Sequence, residues 1–197
     1  MKILKNKLIG AVVAIAALCL FPTSSAFAAT PTFGKKYQNG VGNLHAWINY
    51  GSGVGYWQTF INGATNNWMY TGWANPVYIN YVSSNYGSNL DFHQNYNAYF
   101  GDPNIIAWTQ FYNSSGSQIN PASSNWFYAE VHINDDFYRK PSFTNSQAQG
   151  TTTHEVGHAL GLAHYQTNPY SIMCQTGAGR VVQTVQKVDN DAVNILY

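Results

Sequence analysis

The run His154-Glu155-Val156-Gly157-His158-Ala159-Leu160-Gly161-Leu162-Ala163-His164 brings three imidazoles and one carboxylate close together in the chain. On a helix of 3.6 residues per turn, His154 and His158 lie one turn apart on one face and can reach a single metal ion. Imidazole nitrogens suit zinc, and three protein ligands leave the ion an open position. Glu155 sits beside them. With a third histidine on offer it is free to hydrogen-bond a zinc-bound water and act as general base. A helix running straight on would carry His164 past the metal. Gly161 can adopt positive φ, end the helix and turn the chain so that His164 completes the set. The chemistry is hydrolysis, with His154, His158 and His164 as metal ligands and Glu155 as the catalytic residue.

The full histidine-glutamate-x-x-histidine-x-x-glycine-x-x-histidine string resembles that of the metzincin metallopeptidases. Those enzymes carry a methionine in a tight turn beneath the zinc. Asn168-Pro169-Tyr170-Ser171-Ile172-Met173 lies just past His164, with Met173 in the matching place. Within the group the chain looks most like a bacterial relative of the matrixins. The stretch Tyr128 to Asn134 followed by Asp135 and Asp136, the turn Ser171-Ile172-Met173 and the ending Asp189 to Tyr197 carry that likeness. Tyr165 stands where matrixins often have serine, and Gln175 stands where astacin-like enzymes place an extra tyrosine ligand.

The resemblance covers most of residues 36 to 197 and implies a secreted zinc endopeptidase, a monomer acting on proteins or peptides. It implies one catalytic zinc. His132 falls where a second, structural zinc of vertebrate matrixins would find a ligand, but Trp108 occupies the place of its partner, and His93 with His132 supplies at most two good ligands. Calcium is a further cofactor the family raises, with Asp91, Asp102, Asp135 and Asp136 as candidate acids that lack an EF-hand loop signature. His45 and His93 read as ordinary surface or packed histidines, and Cys174 as a buried thiol under the metal floor.

Elements must hold these groups in place. Trp57, Phe60, Ile61, Ala64 and Trp68 recur at spacings of three and four, which predicts a helix over Tyr56 to Trp68 with Asn66 and Asn67 on its wet side. Pro76 to Val82, Leu90 to Asn95, Ile105 to Tyr112 and Trp126 to Asn134 read as strands, and Ser114 to Ser124 as a loop. Gln147 to Leu162 is the metal-site helix, and Val185 to Leu196 a closing helix. With the resemblance, this order implies an α+β, metzincin-like (zincin) domain: a twisted, mostly parallel sheet, a long metal-site helix and a C-terminal helix. The strand at Ile105 to Tyr112 is expected to offer an edge to an extended substrate. The shape of the pocket beside the zinc depends on the loop from Gln175 to Gln183.

Length and charge fit one small secreted domain. Lys2, Lys5 and Lys7, the apolar run Leu8 to Phe21 and Ala26-Phe27-Ala28 read as a signal peptide over residues 1–28, leaving 29–197 as the catalytic domain. The apolar run is shorter than the roughly 20 residues of a spanning helix, so no stable membrane association is expected after cleavage. Six basic residues then stand against eight acidic ones. That balance argues against a nucleic-acid partner. Only Cys174 remains, so stability rests on packing rather than on a disulfide within the chain. Two other functions stay open: a zinc hydrolase acting on cell-wall crosslinks, and a noncatalytic carbohydrate-binding module using the Tyr, Trp and Asn residues between Tyr37 and Trp126. An intact Glu155 beside a full ligand set argues against the second.

Overall fold

Alternation builds the sheet, and each strand turns one set of side chains toward the helices. The computed structural model describes residues 28–49 and 54–197, so the leader expected over 1–28 lies outside the described residues apart from Ala28. The strands are β1 (Leu44–Ile48), β2 (Ile79–Tyr81), β3 (Leu90–Asn95), β4 (Ala107–Tyr112), β5 (Gln118–Ile119) and β6 (Tyr128–Asn134). They form one sheet in the order β2-β1-β3-β6-β4-β5. β2, β1, β3 and β6 run parallel, while β4 is antiparallel to β6 and β5 to β4. The mostly parallel sheet of an α+β fold is therefore present.

Leu44, Ala46, Ile48, Leu90, Phe92, Ala129, Val131 and Ile133 face the core and are buried. Each large apolar side chain removed from water contributes about 1.5–3 kcal/mol. Over this face lie α1 (Val54–Met69) and α4 (Asn145–Ala159). α1 buries Trp57, Phe60, Ile61, Ala64 and Trp68, the apolar face its spacing predicts. Asn67 departs from the expected wet side: its amide donates to Thr153 Oγ1 of α4 at 3.0 Å, while Asn66 is exposed. Trp68 Nε1 donates to the Thr153 carbonyl at 2.9 Å, clamping the two helices together.

The other face of the sheet is also partly covered. Tyr99 and Phe100 of α2 (Asn97–Phe100) pack on Trp108, and Tyr99 stacks on His132. His93 and His132 lie side by side in register and stack at 5.0 Å. Glu130 Oε2 lies 3.0 Å from His132 Nε2 and accepts from Tyr112 Oη at 2.7 Å. Asp135 and Asp136 open α3 (Asp135–Tyr138), where Asn134 caps the turn by accepting from Phe137 N.

Several boundaries move. β2 is shorter than Pro76 to Val82, because Val77 N is held by Asn75 Oδ1 and Tyr78 N bonds back to Val41 before the ladder begins. The loop at Ser114 to Ser124 contains β5, which joins β4 only at Phe111 and Tyr112. β1 adds a strand that the sequence pattern does not signal: its alternation of buried and half-buried residues spans only five residues and includes Ala46. The metal-site helix begins and ends earlier than Gln147 to Leu162. Thr144 and Gln147 form a capping box at its start, and its regular turns stop at Ala159. The closing helix α5 (Lys187–Leu196) starts two residues later than expected. The aromatic residues between Tyr37 and Trp126 divide: Tyr37, Trp57, Trp68 and Trp126 are buried in the core, while Tyr70, Trp73, Tyr78, Tyr81, Tyr86, Tyr96 and Tyr99 are exposed.

Candidate metal centre

α4 is buried on nearly every side from Ala148 to Ala159, which fixes the direction of each side chain it carries. Its last turn is closed from outside: Trp126 Nε1 donates to the Ala159 carbonyl at 3.1 Å. Gly161 follows with φ +103°, a conformation that suits glycine. A Cβ there would meet Leu196 Cδ1 at 2.8 Å and the Lys35 carbonyl at 3.1 Å. The chain reverses at this point, as its sequence predicts, and brings His164 back to His154 and His158.

The three histidines offer ligand atoms that all lie within 4.8 Å of one another. His158 Nε2 and His164 Nε2 are 3.0 Å apart. His154 is buried, His158 half-buried and His164 exposed, so the group opens from the core to solvent. Burial drives His154 well below the ordinary imidazole value, with His158 and other neighbours adding to it. Burial and then His164 bring His158 down to about 4, and partial burial lowers His164. These rings are held neutral, the form that binds a metal. Two carry a fixed tautomer: His154 Nδ1 lies 2.8 Å from the Ile172 carbonyl and His158 Nδ1 lies 2.8 Å from the Leu162 carbonyl. Each Nδ1 therefore donates, leaving Nε2 with its lone pair for the ion. The donor set fits zinc.

The floor is the methionine turn. Tyr165 N donates to the Met173 carbonyl at 2.9 Å, and Ser171 N to that of Asn168 at 3.1 Å. Met173 is fully buried with its Sδ packed over Gly157 of α4, where a Cβ would collide with it. Cys174 beside it is buried, as expected, and burial raises its thiol. α5 fastens the turn: Asp189 Oδ1 accepts from Ser171 Oγ and Thr30 Oγ1, while Oδ2 accepts from the amides of Ile172 and Gln186. The N-terminal segment also braces the opposite wall. Phe33 N bonds to the Gly161 carbonyl and the Phe33 ring stacks on His158 at 5.8 Å.

Glu155 lies on the cavity wall with the histidines. Burial pushes its carboxyl up to about 7, against the pull of the Thr109 hydroxyl and Arg180. Thr109 Oγ1 is 2.8 Å from Glu155 Oε2 and 2.9 Å from the Glu155 carbonyl. Thr109 lies on β4, whose outer edge from Ala107 to Gln110 lacks the β5 pairing and borders the cavity through Ala107, Trp108 and Thr109. The expected edge strand thus stands beside the histidines. No local spacing signals Thr109 or Phe33, which reach the site only through the sheet and the chain reversal.

The other candidate residues lie elsewhere. His45 is half-buried near the Gly87 carbonyl. His93 and His132 sit on the far face of the sheet. Asp91 accepts from Tyr128, Asp135 pairs with Arg139 and accepts from Gln94, and Asp136 accepts from Asn97 N. Asp102 accepts from Asn104 N. Among the described residues, these aspartates join no cluster of potential metal ligands.

No curated protein matches the chain. The family model for the matrixins matches residues 70–197. That span holds the edge strand, all three histidines, the methionine turn and α5, and it is well over half of the sequence; the chain belongs to the matrixin family.

Proposed function

We propose that this protein is a secreted zinc endopeptidase in which His154, His158 and His164 hold one catalytic zinc and Glu155 is the general base. The observation that carries the reading is the fixed Nδ1 donation of His154 and His158, which turns both Nε2 atoms toward a common point. Membership of the matrixin family supports zinc-dependent peptide hydrolysis. When bound, zinc supplies a Lewis acid that acidifies water and polarises a carbonyl.

The chain's own residues do the rest. The free edge of β4 pairs with an extended peptide and lays the scissile bond across the histidines. Glu155 takes the proton of the attacking water and passes it to the departing amine. Burial favours the protonated carboxyl and so raises its basicity above that of an ordinary glutamate. Residues 1–28 act as the export signal in this reading, and 29–197 as the catalytic domain.

The test is hydrolysis of casein and of peptidoglycan by the purified protein with its metal content measured. Casein cleavage with one zinc per chain, lost with a strong chelator and restored by zinc, is the expected result. Glu155→Gln keeps the zinc and loses about 10²-fold or more in rate. Cleavage of peptidoglycan alone would transfer the activity to cell-wall crosslinks.

A further inference from the structure

The cavity beside the histidines, about 640 Å³, runs on to Thr151 of α4 and to Thr176, Gly177 and Arg180 in the loop after the methionine turn. Arg180 is only 8 % exposed and is the one arginine or lysine in the described wall. Guanidinium is always charged and offers five N–H donors. Nη1 faces the carbonyls of Ile172 and Cys174 at 3.4 Å each. Nη2 faces Thr151 Oγ1 at 3.3 Å and Gln183 Oε1 at 3.5 Å. All four acceptors are neutral, and all four distances exceed the usual range of about 2.7–3.2 Å. Nε is buried with no partner.

No ion pair among the described residues includes Arg180. Glu155 is the one carboxylate in the described wall; it attracts Arg180 across the cavity but forms no ion pair with it, and its own hydrogen bond is to the Thr109 hydroxyl. A buried charge with no counter-ion in contact is costly, and the cost falls when an anion pairs with it directly. A cation held in that state on the wall of a substrate cavity is a site for a carboxylate that arrives with the substrate.

We infer that Arg180 is a specificity-determining residue that selects peptides carrying glutamate or aspartate next to the scissile bond. The inference rests on the endopeptidase reading above. The incoming carboxylate supplies the charged acceptor that the four neutral partners of the guanidinium do not. Arg180 also touches the Ile172 carbonyl that orients His154, so a purely structural role is the competing explanation. The two differ in one measurable way: a structural role affects all substrates alike, whereas a recognition role changes the ratio between acidic and neutral ones.

The experiment uses the zinc-loaded mature protein and matched peptides with Glu or Gln at either residue flanking the scissile bond, cleavage sites being read by mass spectrometry. At one of the two positions Glu is expected to exceed Gln in kcat/KM by about tenfold or more, the scale of a hydrogen bond to a charged group. Arg180→Gln should bring that ratio to about one or below, and Arg180→Lys should retain part of it. Peptide affinity of the Glu155→Gln protein, measured by calorimetry, should show the same ordering without turnover. Cleavage with Gln equal to or better than Glu at both positions would overturn the inference and leave the endopeptidase reading intact. Failure of every peptide to be cleaved or bound would sink both.

Discussion

Thr109 reaches across from the sheet to hold the Glu155 carboxylate, the proposed general base. One of its hydroxyl contacts is to Glu155 Oε2 and the other to the Glu155 carbonyl, so the side chain and its own backbone are restrained together. Thr109→Val keeps the shape and removes the hydroxyl, freeing the carboxylate to rotate. A fall in kcat of about tenfold with little change in KM is the expected result, since a misplaced catalytic group loses rate rather than binding. Thr109→Ser should recover most of it. Unchanged kcat in the valine variant, at equal zinc content, would remove Thr109 from the positioning of Glu155.

The decisive contact between elements is that of α4 with the methionine turn. Gly157 is the point where Met173 and Trp68 both close on the helix: a Cβ there would overlap Met173 Sδ and approach Trp68 Cζ2 to 2.9 Å. His158 follows it directly and His154 shares the helix, so any shift of the turn is felt at these histidines. Gly157→Ala should destabilise the protein by about 1–3 kcal/mol, the usual scale of overpacking, although alanine favours the helix itself. Thermal unfolding of the two proteins checks this. A melting temperature equal to or above that of the wild type would mean that the turn adjusts freely and that the methionine floor is not held by packing. Asp189 restrains the same turn from the other side, where it gathers Ser171, Ile172, Gln186 and Thr30 around one buried carboxylate.

Across the whole molecule, the two faces of the sheet divide the work. One carries the apolar core and the histidine site; the other carries a polar cluster centred on Glu130. Burial would raise the Glu130 carboxyl, but hydrogen bonds from His132, Tyr112 and Tyr128 outweigh it and bring the group from 4.5 down to about 2. A folded value below the unfolded one means that the ionised form favours the fold. That stabilisation is present above about pH 4.5 and is lost as pH falls toward 2. Glu130→Gln should therefore melt below the wild type at pH 7, with the gap narrowing steadily between pH 5 and pH 2. A gap that stays constant over that range would show that Glu130 contributes through packing instead of charge.

The family and the three-histidine cluster were legible in the chain because they depend on local periodicity. His154 and His158 are one helical turn apart, and Gly161 marks the reversal that returns His164. The longer elements were legible for the same reason, since the apolar spacing of Trp57 to Trp68 and the alternation of Ala129 to Ile133 are properties of short stretches. β1 escaped because five residues containing Ala46 give too brief an alternation, and β5 because two residues give none. Tertiary structure alone decided the surroundings of the site. Thr109 meets Glu155 because β4 is antiparallel to β6 and lies beside α4. Phe33 meets His158 because the N-terminal segment bonds to the reversal at Gly161. Arg180 stands in the cavity because its loop folds back beneath the methionine turn, where neutral acceptors surround it. Such contacts join residues far apart in the sequence, and no spacing rule encodes them: they follow from which faces pack together once the core has formed.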